Sequence, residues 1–332
     1  MDLVFVHLGP GKADHLPVNI KHLQKLFPDS SITLIVTDDG HRSLRNLQGI
    51  NYYTYKRTNH SKTIFAQLEH NSHFREGFWI FSLERIFALE EWSAINPTSN
   101  FLHIESDVLL MSDFPLSAIE SLDVLAWTRF NDVRDVATFV YSPNHKEIDW
   151  VVEEIKRLIA TDRSITDMTS LSHISHRYVD RVKILPSTPT DLEEGEHGLF
   201  DPAAYGMWLT GQDPRNKWGF LHKFVPLSDS DSKPENFSYV VKKDGRLEIS
   251  DEKNSYSLYN LHIHSKRKVL FGENWMAFLK WDALHSQRRI FSISFSPLAF
   301  ISIFNDAHKK HQGLAGLIKA SFRLTFRTSS RK

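Results

Sequence analysis

Cysteine is missing from all 332 residues, which removes disulfide frameworks, thiolate zinc sites and cysteine nucleophiles together. That absence also fits a reducing compartment. Excess charge of either sign is missing too. Forty basic side chains meet forty acidic ones, so no global positive field draws the chain to nucleic acid. No apolar run reaches the roughly 18 residues that a membrane span requires. The nearest candidate, Phe291 to Phe304, is interrupted by serines and by Pro297. The opening MDLVFVHLG has no basic stretch ahead of its short apolar run, and so lacks the form of a secretory signal. What remains is globular in composition, 41% apolar and 12% aromatic, unlike a disordered chain. A chain of this size buries roughly 75% of its unfolded surface and needs no staple to fold. Its length suits one large or two modest domains of about 150 residues each.

The apolar pattern alternates between two periods. Leu3 to Leu8 is a short β-branched run broken by Gly9-Pro10-Gly11, the mark of a buried strand. Leu16, Ile20, Leu23, Leu26 and Phe27 then recur at helical spacing. Ser31 to Thr37 predicts a second buried strand, closed by the turn signal Asp38-Asp39-Gly40. A helix over Arg42 to Leu47 and a strand over Asn51 to Tyr55 complete a β-α-β-α-β rhythm. Such a rhythm implies an α/β fold on a parallel sheet with right-handed crossovers, in which ligands gather beyond the carboxyl ends of the strands. Further along, the pattern predicts helices over Trp79 to Trp92 and Ile148 to Ala160, and strands over Phe101 to Ile104, Val124 to Trp127 and Ala137 to Tyr141. Asp229 to Glu235 predicts a loop; short strands follow at Val240-Val241, around the Asp244-Gly245 turn, and from Tyr256 to His264.

The strongest chemical signal is FLHIESDVLL, a buried strand that ends in Glu105-Ser106-Asp107 and resumes as an apolar run. Residues i and i+2 of an extended chain share a side, so two carboxylates can converge on one hard cation such as Mg²⁺ or Mn²⁺, which in turn grips a diphosphate. An isolated acid-x-acid pair is more often two solvated carboxylates in a turn. The apolar strand directly before this one favours a task for the pair. A second signal, NLHIHSK, places His262 and His264 on one face of a strand with Lys266 after them. Imidazole can complete a carboxylate metal site and an ammonium suits phosphate, although with 18 histidines an H-x-H also arises by chance. A third, FDPAAYG followed by GQDPRN, is rich in turn and cap residues. It is either architectural or a place where a sugar approaches backbone closely.

In their order these elements resemble the GT-A nucleotide-sugar glycosyltransferases, in particular bacterial enzymes that build capsular or lipopolysaccharide glycans. The resemblance covers about residues 1 to 280. HIESDVLL stands where that family has its D-x-D motif, with Glu as the first acid, and HIHSK is similar to its C-terminal histidine–lysine element, with Ser265 where glycine is usual. FDPAAYG and GQDPRN resemble an acceptor-side region. The resemblance implies a Rossmann-like, mostly parallel sheet in a GT-A catalytic domain over 1–284, with a nucleotide-sugar half at 1–130 and an acceptor half at 131–284. It implies transfer of a sugar from a nucleotide-sugar, a UDP-sugar first of all, to a glycan or lipid-linked saccharide acceptor, with Mn²⁺ or Mg²⁺ as cofactor. Asp107 would ligate the metal directly, and Glu105 would bind it through water or touch the donor ribose. His262 would be the third ligand, ahead of His264, and Lys266 would neutralise the departing diphosphate. Asp38 would meet the nucleoside. Arg85 would contact the donor phosphate, or else snorkel from its helix. Asp167 and Asp201 are candidates for the acceptor-hydroxyl base or an acceptor anchor. Inversion and retention stay open.

From Arg288 onward nine basic residues face one acid, Asp306, leaving about −8 on the remainder. The segment 285–332, with Phe291 to Phe304 before its basic stretch, is expected either to lie on an anionic membrane face of the cytoplasm or to form packing helices with a solvated basic side. A nucleotidyltransferase would need a richer glycine and lysine loop than Gly9-Pro10-Gly11-Lys12. A non-catalytic carbohydrate- or membrane-binding module would tolerate loss of Asp107. A zinc hydrolase is disfavoured by the absence of H-E-x-x-H.

Overall fold

In a computed structural model of the chain, the described residues are 1–9, 13–37, 44, 46–69, 77–211, 233–251, 253–272, 275–277, 279 and 290–292. The turn at Asp38, half of the helix expected at Arg42 to Leu47, the GQDPRN segment after Gly211 and nearly all of 285–332 lie outside them.

The strands are β1 (Asp2–His7), β2 (Ser31–Thr37), β3 (Asn51–Tyr55), β4 (Phe101–Ile104), β5 (Val108–Leu110), β6 (Leu125–Asn131), β7 (Arg134–Ser142), β8 (Val182–Leu185), β9 (Gly198–Leu199), β10 (Ser238–Val241), β11 (Leu247–Ser250), β12 (Ser255–Leu258), β13 (Asn260–His262) and β14 (Ile290–Ser292). The helices are α1 (Leu16–Leu26), α2 (Asn59–Phe65), α3 (Phe78–Ser93), α4 (Leu116–Glu120), α5 (His145–Thr161), α6 (Asp167–Arg177) and α7 (Ala204–Thr210). Seven strands form the main sheet in the order β3-β2-β1-β4-β7-β6-β8. It is mostly parallel; β7 alone runs against its neighbours β4 and β6. Strands β6 and β7 pair on both sides of Phe130, with a register shift between Arg129 and Asn131.

Strand β1 shows why the sheet is central. Leu3 and Phe5 point into one core with α1, while Val4 and Val6 point into the other with α3, α5 and α6. Burial on both faces is what a continuous β-branched run predicts. Helix α1 starts with Pro17 in its first turn and presents Leu16, Asn19, Ile20 and Leu23 to the sheet. Helix α5 is capped by Asn144, whose side chain accepts from the Glu147 N–H, and α6 by a Thr166–Thr169 capping box. Helix α3 is buried around most of its circumference, and carries two charged residues inward, Glu84 and Arg85. Arg57 pairs with Glu84.

A second sheet, β14-β10-β11-β12-β9, encloses its own apolar core, and a two-stranded pair, β13-β5, joins it to the first. The single strand expected from Tyr256 to His264 is two. The chain leaves β12 at Tyr259, whose N–H and C=O bond Leu199 and Met111, and re-enters as β13 against β5. Alternation alone cannot show where a strand changes partners. No helix of the described residues is long and apolar enough to cross a membrane.

One buried group gives a pH test of the core. His103 on β4 is fully buried; Nδ1–H donates to the Val4 carbonyl at 2.9 Å and Nε2 has no partner. Burial, aided by Arg85 and opposed by Glu105, lowers its pKa to about 3. The folded protein therefore holds the neutral ring while the unfolded chain protonates below its ordinary value of 6.5. Stability from this group is complete above 6.5 and lost as pH falls toward 3. His103→Gln is expected to lose about 2 kcal/mol less than the parent between pH 7 and pH 5, read from urea midpoints. Equal losses would show that His103 titrates normally in the fold.

Candidate metal centre

The centre is assembled where β4 ends. The backbone turns over Glu105-Ser106-Asp107, with the Glu105 N–H bonded to Thr138 O at 3.1 Å and the Val108 N–H to Glu105 O at 3.1 Å. Asn19, fully buried on α1, holds the turn from below: Nδ2 donates to Val108 O at 2.7 Å and to Ser106 O at 3.3 Å. Strand β13 then lies antiparallel to β5 with His262 opposite Val108, and the Ile263 N–H bonds Asp107 O at 2.7 Å. Residues more than 150 positions apart are thus locked into one ladder.

This register brings three side chains together. His262 Nε2 stands 3.3 Å from Glu105 Oε2 and 3.5 Å from Asp107 Oδ1. One ligand atom from each of Glu105, Asp107 and His262 lies within 4.8 Å of the other two. His262 Nδ1 faces Thr138 Oγ1 at 3.2 Å, which orients the ring and leaves Nε2 toward the acids. Lys266 follows in a turn with φ +49°, and its Nζ lies 3.2 Å from Asp107 Oδ2. His264 is not one of the converging group. It lies past the end of β13, stacked on the His262 ring at 4.4 Å between centroids, with Nε2 buried and unpartnered.

Arg85 is the other surprise of position. It does not snorkel: it is buried, and its guanidinium bridges Glu105 and Asp167, the latter at 3.0 Å. Asp167 sits in the first turn of α6, where a helix N-terminus favours an anion. Its Oδ1 and the Arg85 Nε are buried without a hydrogen bond. Asp201 is placed differently from the acceptor role expected of it. It is fully buried, and both oxygens accept backbone N–H groups, from Ala203 and Tyr205 at Oδ1 and from Gly206 and His262 at Oδ2. No oxygen is left over to meet an acceptor hydroxyl. Asp38 lies outside the described residues.

The charges are mutually dependent. Burial alone would raise both acids, but Lys266 and His262 hold Asp107 well below the usual carboxylate range, and Arg85 and His262 hold Glu105 below it. Burial would lower His262; Asp107 and Glu105 outweigh it and bring the ring up to about 8. At His264 the same acids are outweighed, and burial together with His262 takes it down to about 3. Burial raises Asp167 despite Arg85.

The donor set fits a divalent ion. Glu105 Oε2 is buried and accepts no hydrogen bond, with the His262 ring at 3.3 Å to offset its charge, an expensive state for a carboxylate oxygen that a bound cation would relieve. Two carboxylates and one imidazole suit Mn²⁺, and Mg²⁺ if water supplies the rest.

Asn19, His15 and Thr138 belong to the site and were not singled out from sequence. His15, 4% exposed at the start of α1, places Nε2 3.4 Å from Ser106 Oγ. Burial takes its pKa down to about 4, partly countered by Asp107. Asn19 did leave a trace, as the one polar residue in the apolar stripe Leu16, Ile20, Leu23.

No protein-family profile and no curated protein matches the chain. Among solved structures, an active-site variant of LgtC aligns over 57% of this chain and 76% of its own, at 17% identity and TM-score 0.42. The glycosyltransferase GlyE of Streptococcus pneumoniae aligns over 55% and 44%, at 18% identity and TM-score 0.36. A putative glucose-1-phosphate thymidylyltransferase from Bacillus anthracis aligns over 55% and 85%, at 10% identity and TM-score 0.34. Likenesses this distant do not identify a family, and the functional reading rests on the site.

Proposed function

We propose that the chain is a metal-dependent glycosyltransferase that moves a sugar from a nucleotide-sugar to a glycan or lipid-linked saccharide acceptor in surface-polysaccharide synthesis. The observation that carries this reading is the convergence of Glu105, Asp107 and His262 beside Lys266, beyond the carboxyl end of β4 in a mostly parallel sheet. Breaking a sugar–phosphate bond develops negative charge on the departing diphosphate. A Mn²⁺ or Mg²⁺ ion, when bound, supplies Lewis-acid stabilisation of that charge.

The chain's own residues do the rest. Asp107, Glu105 and His262 hold the ion, and Thr138 fixes the imidazole so that Nε2 faces the acids. Lys266, about a third exposed, offers its ammonium to the phosphate oxygens. Arg85 anchors Glu105 and Asp167 against each other, leaving Asp167 Oδ1 to meet a hydroxyl of the sugar or the acceptor. The tail beyond 285, apart from Ile290–Ser292 in the second sheet, is assigned in this reading to the membrane that carries lipid-linked acceptors.

A thermal-shift screen of nucleotide diphosphates and nucleotide-sugars, with Mn²⁺ and with EDTA, tests the proposal. Saturation at about 100 times Kd should add about 2.7 kcal/mol, and only when nucleotide and ion are both present. A shift that needs a nucleoside triphosphate and a sugar phosphate would point to nucleotidyl transfer instead. No shift with any nucleotide would sink both.

A further inference from the structure

The FDPAAYG segment is left unexplained by the metal centre itself, yet it lies directly behind it. Asp201 accepts four backbone N–H groups: Ala203 and Tyr205 at 2.9 Å on Oδ1, Gly206 at 2.7 Å and His262 at 2.8 Å on Oδ2. Its own backbone is clasped in return. Asn260 Oδ1 accepts the Asp201 N–H at 2.9 Å, and Asn260 Nδ2 donates to Asp201 O at 3.1 Å. One carboxylate therefore gathers the first turn of α7 and the end of β13 that carries His262, with no lysine or arginine paired to it among the described residues. Two neighbours show that the arrangement is built for closeness. Ala203 holds φ +121°, a strained conformation for a residue with a Cβ, and thereby delivers its N–H to Oδ1. Gly206 admits no side chain: a Cβ there would fall 2.2 Å from His262 O and 2.6 Å from Asp201 Oδ2.

We propose that Asp201 is a positioning residue for His262: with Gly206 and Asn260 it fixes the backbone from which the imidazole reaches Glu105 and Asp107. The assignment rests on the metal reading above and gives FDPAAYG its purpose. The first turn of α7 and the end of β13 share one buried acceptor that takes N–H groups from both. Neither a serine nor an amide in that place could accept all four. Side-chain anchoring by Thr138 sets the rotation of the ring, while Asp201 sets where the ring begins. Supporting groups of this kind change metal affinity about 10–100-fold when lost.

The test is Mn²⁺ binding by the full chain, followed by electron paramagnetic resonance of the free ion at low temperature, for Asp201→Asn, His262→Ala and the double variant. The amide turns an N–H pair toward the Gly206 and His262 donors, so Asp201→Asn should weaken Mn²⁺ at least about tenfold. In the His262→Ala background the same change should cost nothing further, because both act through one ligand. Unchanged Mn²⁺ affinity with a lost transfer rate would make Asp201 an acceptor-side catalytic group and overturn the proposal. A lower Tm with unchanged affinity, or an equal additional loss in the His262→Ala background, would reduce it to general scaffolding. If Asp201→Asn does not fold, Asn260→Ala loosens the same clasp from its other side and carries the same expectation. If the parent itself binds no Mn²⁺, the metal reading fails first and takes this one with it.

Discussion

Asp107→Asn should abolish Mn²⁺ binding while leaving the fold standing. The substitution removes one anionic donor from a group of three and leaves an imidazole and a carboxylate that is already paired with Arg85. Loss of a direct ligand should exceed the roughly 10–100-fold cost of losing an outer partner, so affinity should fall by more than about 100-fold. The backbone bond from Ile263 to Asp107 survives, and Lys266 is exposed enough to turn to water. Stability should therefore fall by about 1–3 kcal/mol, the cost of taking one charged partner from the buried His262 ring. Electron paramagnetic resonance of free Mn²⁺ reads the first effect and a thermal melt the second. Mn²⁺ binding equal to the parent's would remove Asp107 from the centre and leave a binding module as the better account.

Arg85→Leu should do the reverse and injure the fold itself. Its guanidinium is the one described contact that joins Glu105 to Asp167, and all three groups are buried or nearly so. Taking away the shared cation strands two carboxylates in a low-dielectric setting, a class of change that costs about 3–5 kcal/mol. Because Arg85 lowers the pKa of both acids, its loss lets them titrate higher than in the parent, so the deficit is present at neutral pH and shrinks as pH falls and they protonate. Urea midpoints at pH 8 and pH 5 should show it. Arg85→Lys should recover only part of the loss, since one ammonium cannot serve both carboxylates with a planar fork. A deficit that is small, or independent of pH, would mean that water already reaches this triad.

Much of the centre was legible in the chain. An apolar strand stopping at Glu105-Ser106-Asp107 announced two acids on one side of an extended backbone, and they do converge. The parallel sheet followed from the first β-α-β units, whose runs are buried on both faces. Asn19 was hidden because helical spacing records only that a position faces inward, whereas its purpose is to bond two carbonyls of a turn almost 90 residues away. The setting of Asp201 was hidden for a similar reason. A turn-rich segment with an acid looks open to ligand, and only its four N–H partners show it to be closed.

Residue type and local period determined the strands, the helices and which acids were costly enough to need a partner, since those depend on neighbours within a few positions. Tertiary structure decided which partner each acid received. His262 rather than His264 reaches Glu105 and Asp107, because β13 pairs with β5 in a register that puts His262 opposite Val108 and leaves His264 beyond the strand. That choice is made by hydrogen bonds between segments some 150 residues apart, and a linear pattern carries no record of them.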